Sequence, residues 1–208
     1  MAIVIDELVD VLNRERHLLE NLVFRLIEAR GLLATGEARF LGWAASDIEA
    51  AAAAVREVEL RRATVLASTS PGPLPTLAML VAATSEPWTS LLDDHRMALG
   101  RLVGEVGAGL ESTHDLAVAG LERVLTASHE TDDRPEHLDD VGDHLGARWA
   151  RDTVGDSGRD ERSTLQPKRS RPFADLDDLD REITAAGYEA VLTATDRMTL
   201  PSLTRFLS

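Results

Sequence analysis

Leu12, Leu19, Leu26 and Leu33 recur at seven-residue intervals near the start of the chain, and this repeat limits the possible folds more than any other feature. A second row, Leu8, Leu22 and Ala29 with Glu15 as its one polar member, completes an alternating four-three spacing from Ile3 to Ala34. Such spacing places all of these side chains on one stripe of an α-helix. Arg14, Glu20, Arg25 and Glu28 fall on the other face, which is expected to be solvated. A helix of about 30 residues is roughly 45 Å long at ~1.5 Å per residue. A compact globule of 208 residues does not bury that length end to end, so the stripe needs other long helices beside it.

Composition agrees with slender helix packing. Apolar residues make up 44% of the chain but aromatic residues only 4%, and alanine and leucine dominate the apolar share. The expected fold is all-α and elongated: an antiparallel helical hairpin plus a third long helix, with a C-terminal helix docked in cis. A formal charge of −14 repels nucleic acid and anionic lipid. The basic piece at 167–172, PKRSRP, sits in that acidic context and reads as solvated chain. The absence of cysteine excludes disulfides and thiolate metal sites and fits a reducing compartment. The acidic start, MAIVIDELVD, is unlike a signal peptide, and no apolar run reaches the roughly 18 to 20 residues that span a bilayer. A cytoplasmic location with no membrane insertion is expected.

Thr35 and Gly36 interrupt the first helix, with Gly36 suited to a left-handed cap. A second run begins near Glu37 with the stripe Leu41, Ala44, Ile48, Ala51, Val55, Val58 and Val65, and so short a turn implies an antiparallel hairpin. The segment Ser68 to Pro75 holds three prolines and a glycine and reads as a connector. After a short apolar piece, Leu77 to Ala83, Ser85 and Pro87 suit the start of a third long helix. Its stripe is Leu92, Leu99, Leu102, Val106, Leu110, Leu121 and Val124. Gly100, Gly104, Gly107, Gly109 and Gly120 each weaken an exposed helix by about 0.5–1 kcal/mol, so this helix is either held by its neighbours or loose until a partner arrives. Residues 129–172 are poor in large apolar groups and read as a mostly disordered linker, apart from a marginal amphipathic helix at 135–151. The last section, 173–208, regains helical periodicity through Ile183, Gly187, Val191, Ala194 and Met198 and ends in LPSLTRFLS.

Two resemblances add to this reading. Residues 1 to about 128, through LVDVLNRERHLLENLVFRLIEARGLLATGE and WTSLLDDHRMALGRLVGEV, resemble flagellar export chaperones of the FlgN type. The final residues, AGYEAVLTATDRMTLPSLTRFLS, resemble the C-terminal end of the flagellin superfamily, especially the hook-filament junction protein. Matching positions are Tyr188, Ala190, Leu192, Ala194, Thr195, Pro201, Ser202, Leu203, Phe206 and Leu207, while Asp196, Thr199 and Arg205 depart from that pattern.

The first resemblance implies a chaperone that holds C-terminal helices of hook-associated or hook-filament junction proteins before type III export, with export-gate or ATPase components as further partners. Together the two imply a holder and a client-like tail in one chain. The implied groove is Leu99, Leu102, Val106, Leu110 and Leu121, and the docking tail residues are Tyr188, Val191, Leu192, Met198, Leu203, Phe206 and Leu207. A linker of about 45 residues reaches roughly 35 to 40 Å, enough for the tail to dock.

Catalytic signals are missing. There is no G-x-S-x-G elbow and no phosphate loop, and GEVGAG at 104–109 has no preceding strand. His137, Asp140 and His144 would share a helical face but lack a third strong ligand, and His95 beside Asp93 and Asp94 reads as part of a solvated face. No enzyme activity, cofactor or metal is expected. The alternative to the chaperone is a structural helical bundle without a client.

Overall fold

The computed structural model describes residues 2–69, 73–132, 174–198 and 200–208, and all regular secondary structure among them is helical. Helix α1 (Ala2–Thr35) and helix α2 (Leu41–Thr69) form the hairpin. Between them Gly36 takes φ +72°, the Glu37 N–H bonds the Leu32 carbonyl at 3.0 Å, and a single 3-10 turn spans Ala38–Phe40. This is a Schellman cap, and only a residue without a Cβ adopts that left-handed position cheaply. The expected break at Thr35 and Gly36 is therefore a turn that reverses the chain.

The short apolar piece forms helix α3 (Leu77–Ala83), whose first turn is capped by the Thr76 hydroxyl accepting from the Met79 N–H at 3.2 Å. Helix α4 (Trp88–Asp132) is the longest element, and the Ser85 carbonyl accepts its Trp88 N–H at 3.0 Å. The C-terminal section forms helix α5 (Ala174–Asp196) and helix α6 (Pro201–Leu207), with Pro201 in the first turn of α6. The first four residues of the expected linker, 129–132, continue α4 as helix, and the rest of it, 133–172, lies outside the described residues. With it go the marginal helix at 135–151, the His137, Asp140 and His144 group, and the 167–172 piece.

Side-chain pairs fix how the helices run. Arg62 of α2 meets Glu15 of α1, and Arg25 of α1 meets Asp47 of α2 at 3.2 Å, so these two are antiparallel. Leu26 of α1 abuts Gly109 of α4, and Arg16 acts on His95, so α1 and α4 are parallel. Tyr188 covers Gly120 and Asp196 faces His114 at 3.4 Å, so α5 is antiparallel to α4. Helix α1 packs on α2 and α4, and α5 packs on the same two. The result is an up-down-up-down four-helix bundle in which α1 and α5 lie diagonally opposite.

The bundle is not filled equally along its length. Gly187 approaches the hairpin turn, where an added Cβ would lie 3.0 Å from the Ala38 carbonyl oxygen. The turns of α5 before Gly187 and the last turns of α4 continue past that point as a two-helix extension of roughly 18 Å. Ile183, expected on the buried stripe, is therefore half exposed, as are Leu179 and Leu125. Spacing puts Ile183 on the stripe, but among the described residues no third helix reaches that far to cover it.

His95 also differs from expectation. It is 2% exposed, not part of a solvated face. Counting from Leu92 in steps of three and four gives His95, Leu99, Leu102 and Val106, so the imidazole belongs to the seam. Burial, helped by the Arg16 guanidinium, holds its pKa below the ordinary value of 6.5 against the opposing pull of Asp94. Its Nδ1 has no partner among the described residues. A depressed pKa contributes stability that is present above the unfolded value and lost as pH falls through the folded one. His95→Gln, which cannot charge, is expected to narrow its stability difference from the wild type as pH falls from about 7.5 to about 5.5. Urea unfolding at each pH measures this, and a constant difference would show that His95 titrates normally.

Candidate helix-binding groove

Helices α1, α2 and α4 alone leave a trough along the line where α2 and α4 face α5. The composition of α4 explains its shape. After Val106 the buried seam continues as Gly109, Thr113, Ala117 and Gly120. Small residues lower the floor, so large side chains enter from both neighbours. Leu26 of α1 fills the space at Gly109, and the Tyr188 ring lies where a Cβ on Gly120 would stand, 2.0 Å from Cε1. The Thr113 hydroxyl is satisfied within α4 by donating to the Gly109 carbonyl at 2.6 Å. Two of the five glycines in this helix thus have a packing reason, whereas a Cβ on Gly100, Gly104 or Gly107 meets nothing within 4 Å.

The structure places the expected groove residues in two groups. Leu99, Leu102 and Val106 are fully buried in the common core, while Leu110 and Leu121 are half-buried and flank the small-residue seam. Of the tail residues, Tyr188, Val191, Met198, Leu203 and Phe206 are buried in that same core. Leu192 and Leu207 are half-buried at its margin. The tail does not rest on α4 alone, since α2 forms the other wall. Ala52 and Ala194 are both buried and Met198 packs nearby, so α2 and α5 approach through small side chains.

Charged contacts line the rim. Asp196 faces His114 of α4 at 3.4 Å, and Arg197 faces Glu49 of α2 at 3.5 Å. Both pairs are exposed and each contributes little. Asp196 is nevertheless a position where the tail departs from the flagellin-superfamily pattern, and here the departure has a partner on the opposite wall.

At the far end a polar group is buried, of which the apolar stripes include only Glu15. Glu15 of α1 is 0% exposed, Arg62 of α2 4%, and Glu59 of α2 9%. Arg62 donates to Glu15. The Ser202 hydroxyl of α6 donates to Glu59 Oε2 at 2.6 Å, and the Phe206 ring centre lies 4.2 Å from the Arg62 guanidinium carbon. Burial pushes the Glu15 carboxyl above its ordinary 4.5; Arg62 pulls it down and Glu59 raises it further. The signal for this group was present in Glu15, the one polar member of an otherwise apolar stripe.

Among the described residues no three His, Cys, Asp or Glu side chains are grouped as for a metal ion, and no helix is long and apolar enough to cross a membrane. No protein-family model, curated protein or solved structure matches the chain.

Proposed function

We propose that the chain is a cytoplasmic binding module of the export-chaperone kind, holding an amphipathic C-terminal helix of a flagellar hook-associated or hook-filament junction protein in the trough between α2 and α4. The observation that carries this reading is the occupant of the trough. Residues 187–207 lie along it as the second half of one helix, a break and a short second helix with a buried apolar stripe, while the earlier turns of α5 run on beyond the trough beside α4. This is the segment that resembles the client class. A free helix with such a stripe self-associates, and a cover over the stripe prevents that.

In the resting chain the tail occupies its own groove. A tether that spans the two sites supplies an effective concentration in the millimolar range, so an incoming client displaces the tail only when it binds better or arrives in excess. Export-gate or ATPase components would then be partners of the loaded form. The second reading, a structural bundle with α5 as a permanent fourth helix, draws on the single apolar core that α5 and α6 share with the other helices.

Peptide exchange separates the two readings. A chain carrying Val191→Asp and Leu203→Asp, with its tail released, is expected to bind a fluorescent peptide of residues 174–208 saturably. The wild type should bind it about a hundredfold more weakly, because its tethered tail competes. A released chain that keeps its helical circular dichroism yet shows no saturable binding overturns the chaperone reading and leaves the structural bundle.

A further inference from the structure

We infer that the buried Glu15, Arg62 and Glu59 group is the selectivity element of the groove, and that it admits a C-terminal helical turn bearing a hydroxyl residue with an aromatic residue four positions later. The inference rests on the groove reading above and names the partner more closely. In this chain the pair is Ser202 and Phe206, which share one face of α6.

One guanidinium sits among two carboxylates, all three buried. Glu15 already neutralises Arg62. Glu59 is therefore the surplus carboxylate, and a surplus buried carboxylate is unfavourable unless donors reach it. Its Oε1 has no partner among the described residues, and the hydrogen bond made by its Oε2 comes from Ser202, 143 positions away in the chain. A segment with alanine or valine at that place would leave both carboxylate oxygens without a protein donor. The hydroxyl is thus read by the penalty for its absence, which discriminates more strongly than an added apolar contact does.

The aromatic position is read differently. Arg62 is held at one edge by Glu15 and presents its face to Phe206. A planar cation stacks on a ring and gains little from a branched aliphatic side chain. Beside the ring a cleft of about 200 Å³ opens toward Leu74 and Pro75, with space for a phenol hydroxyl. Both features lie beyond the last turn of α5. They therefore fix the register of the whole segment, since a slip by one residue removes both at once.

Peptides of residues 174–208 exchanged into the tail-released chain test this. Ser202→Ala and Phe206→Leu peptides are each expected to bind about tenfold more weakly than the parent, whereas Ser202→Thr and Phe206→Tyr stay within about twofold. In a chain that also carries Glu59→Leu, the parent and Ser202→Ala peptides should bind alike, because the two residues act on each other. Hydrogen exchange on the intact chain gives a second readout that does not need the released variant: Ser202→Ala should speed exchange of the 204–207 amides about tenfold. Equal binding of all peptides, or an undiminished Ser202→Ala effect in the Glu59→Leu chain, overturns the selector alone. If no peptide binds, the groove reading falls and takes the selector with it.

Discussion

Arg62→Leu is expected to destabilise the chain by about 3–5 kcal/mol, among the largest effects a single substitution here can have. The guanidinium is the cation that meets Glu15 in the interior, and Glu59 stands close enough to oppose both carboxylates being charged. Leucine would fill much of the volume but leave Glu15 buried without its counter-charge. For a domain of this size the loss corresponds to a fall in Tm of roughly 6 to 20 °C.

The sign of its pH dependence follows from Glu15. Its carboxyl is raised above 4.5 in the folded chain, so its contribution is fully present below 4.5 and lost as pH rises through the folded value. Removing Arg62 takes away the pull that lowers that value. The deficit of Arg62→Leu relative to the wild type should therefore shrink as pH falls toward the carboxylate range. Adding Glu15→Leu should recover most of the loss, since replacing both partners of a buried pair by apolar groups is close to neutral. Urea unfolding across pH measures all three variants. A deficit below about 1 kcal/mol would mean that water reaches Glu15 and that the pair behaves as a surface contact.

The second large effect is expected at the tail. Val191 and Leu203 are completely buried, one on α5 and one on α6. Aspartate at either place puts a carboxylate against apolar neighbours with no cation provided for it, a penalty of several kcal/mol. Two such penalties should exceed the docking energy of the segment, and the tether offsets only the concentration term. Val191→Asp with Leu203→Asp should open residues 174–208 to limited proteolysis while α1 and α2 stay protected, whereas Val191→Leu with Leu203→Met should remain closed. An unchanged cleavage pattern in the double aspartate variant would show that α5 and α6 do not unlock as a unit, and would count against a displaceable tail.

Much of the bundle was legible because an α-helix writes its buried face into local spacing. Leu8 to Leu33 on α1 and Leu41 to Val65 on α2 are buried nearly as counted. Gly36 announced the reversal, and Leu77 to Ala83 stands out as its own short helix. The C-terminal half of α4 was harder to read. Its seam runs through Gly109, Thr113, Ala117 and Gly120, and small residues give no hydrophobic signal. The large apolar residues of this half, Leu110 and Leu121, lie beside the seam. Gly120 is explained only by Tyr188, 68 positions further along the chain, and no local rule connects them.

Charged residues divide in the same way. Glu15 and His95 sit on the stripes at the required spacing, yet hydropathy argues for solvent at both. Their burial follows from what faces them: Arg62 across the hairpin, and the close packing of α1 against α4. Helix positions, chain reversals and most of the buried faces are legible locally, because those properties arise from bonds and spacings within a few residues. That α2 and α4 together hold the tail, that α4 and α5 extend past α1 and α2, and that a buried polar group meets Ser202 and Phe206 are set by long-range packing. A stripe states that a face is covered; what covers it depends on partners distant in the chain, where the physical fit of side chain to side chain is made.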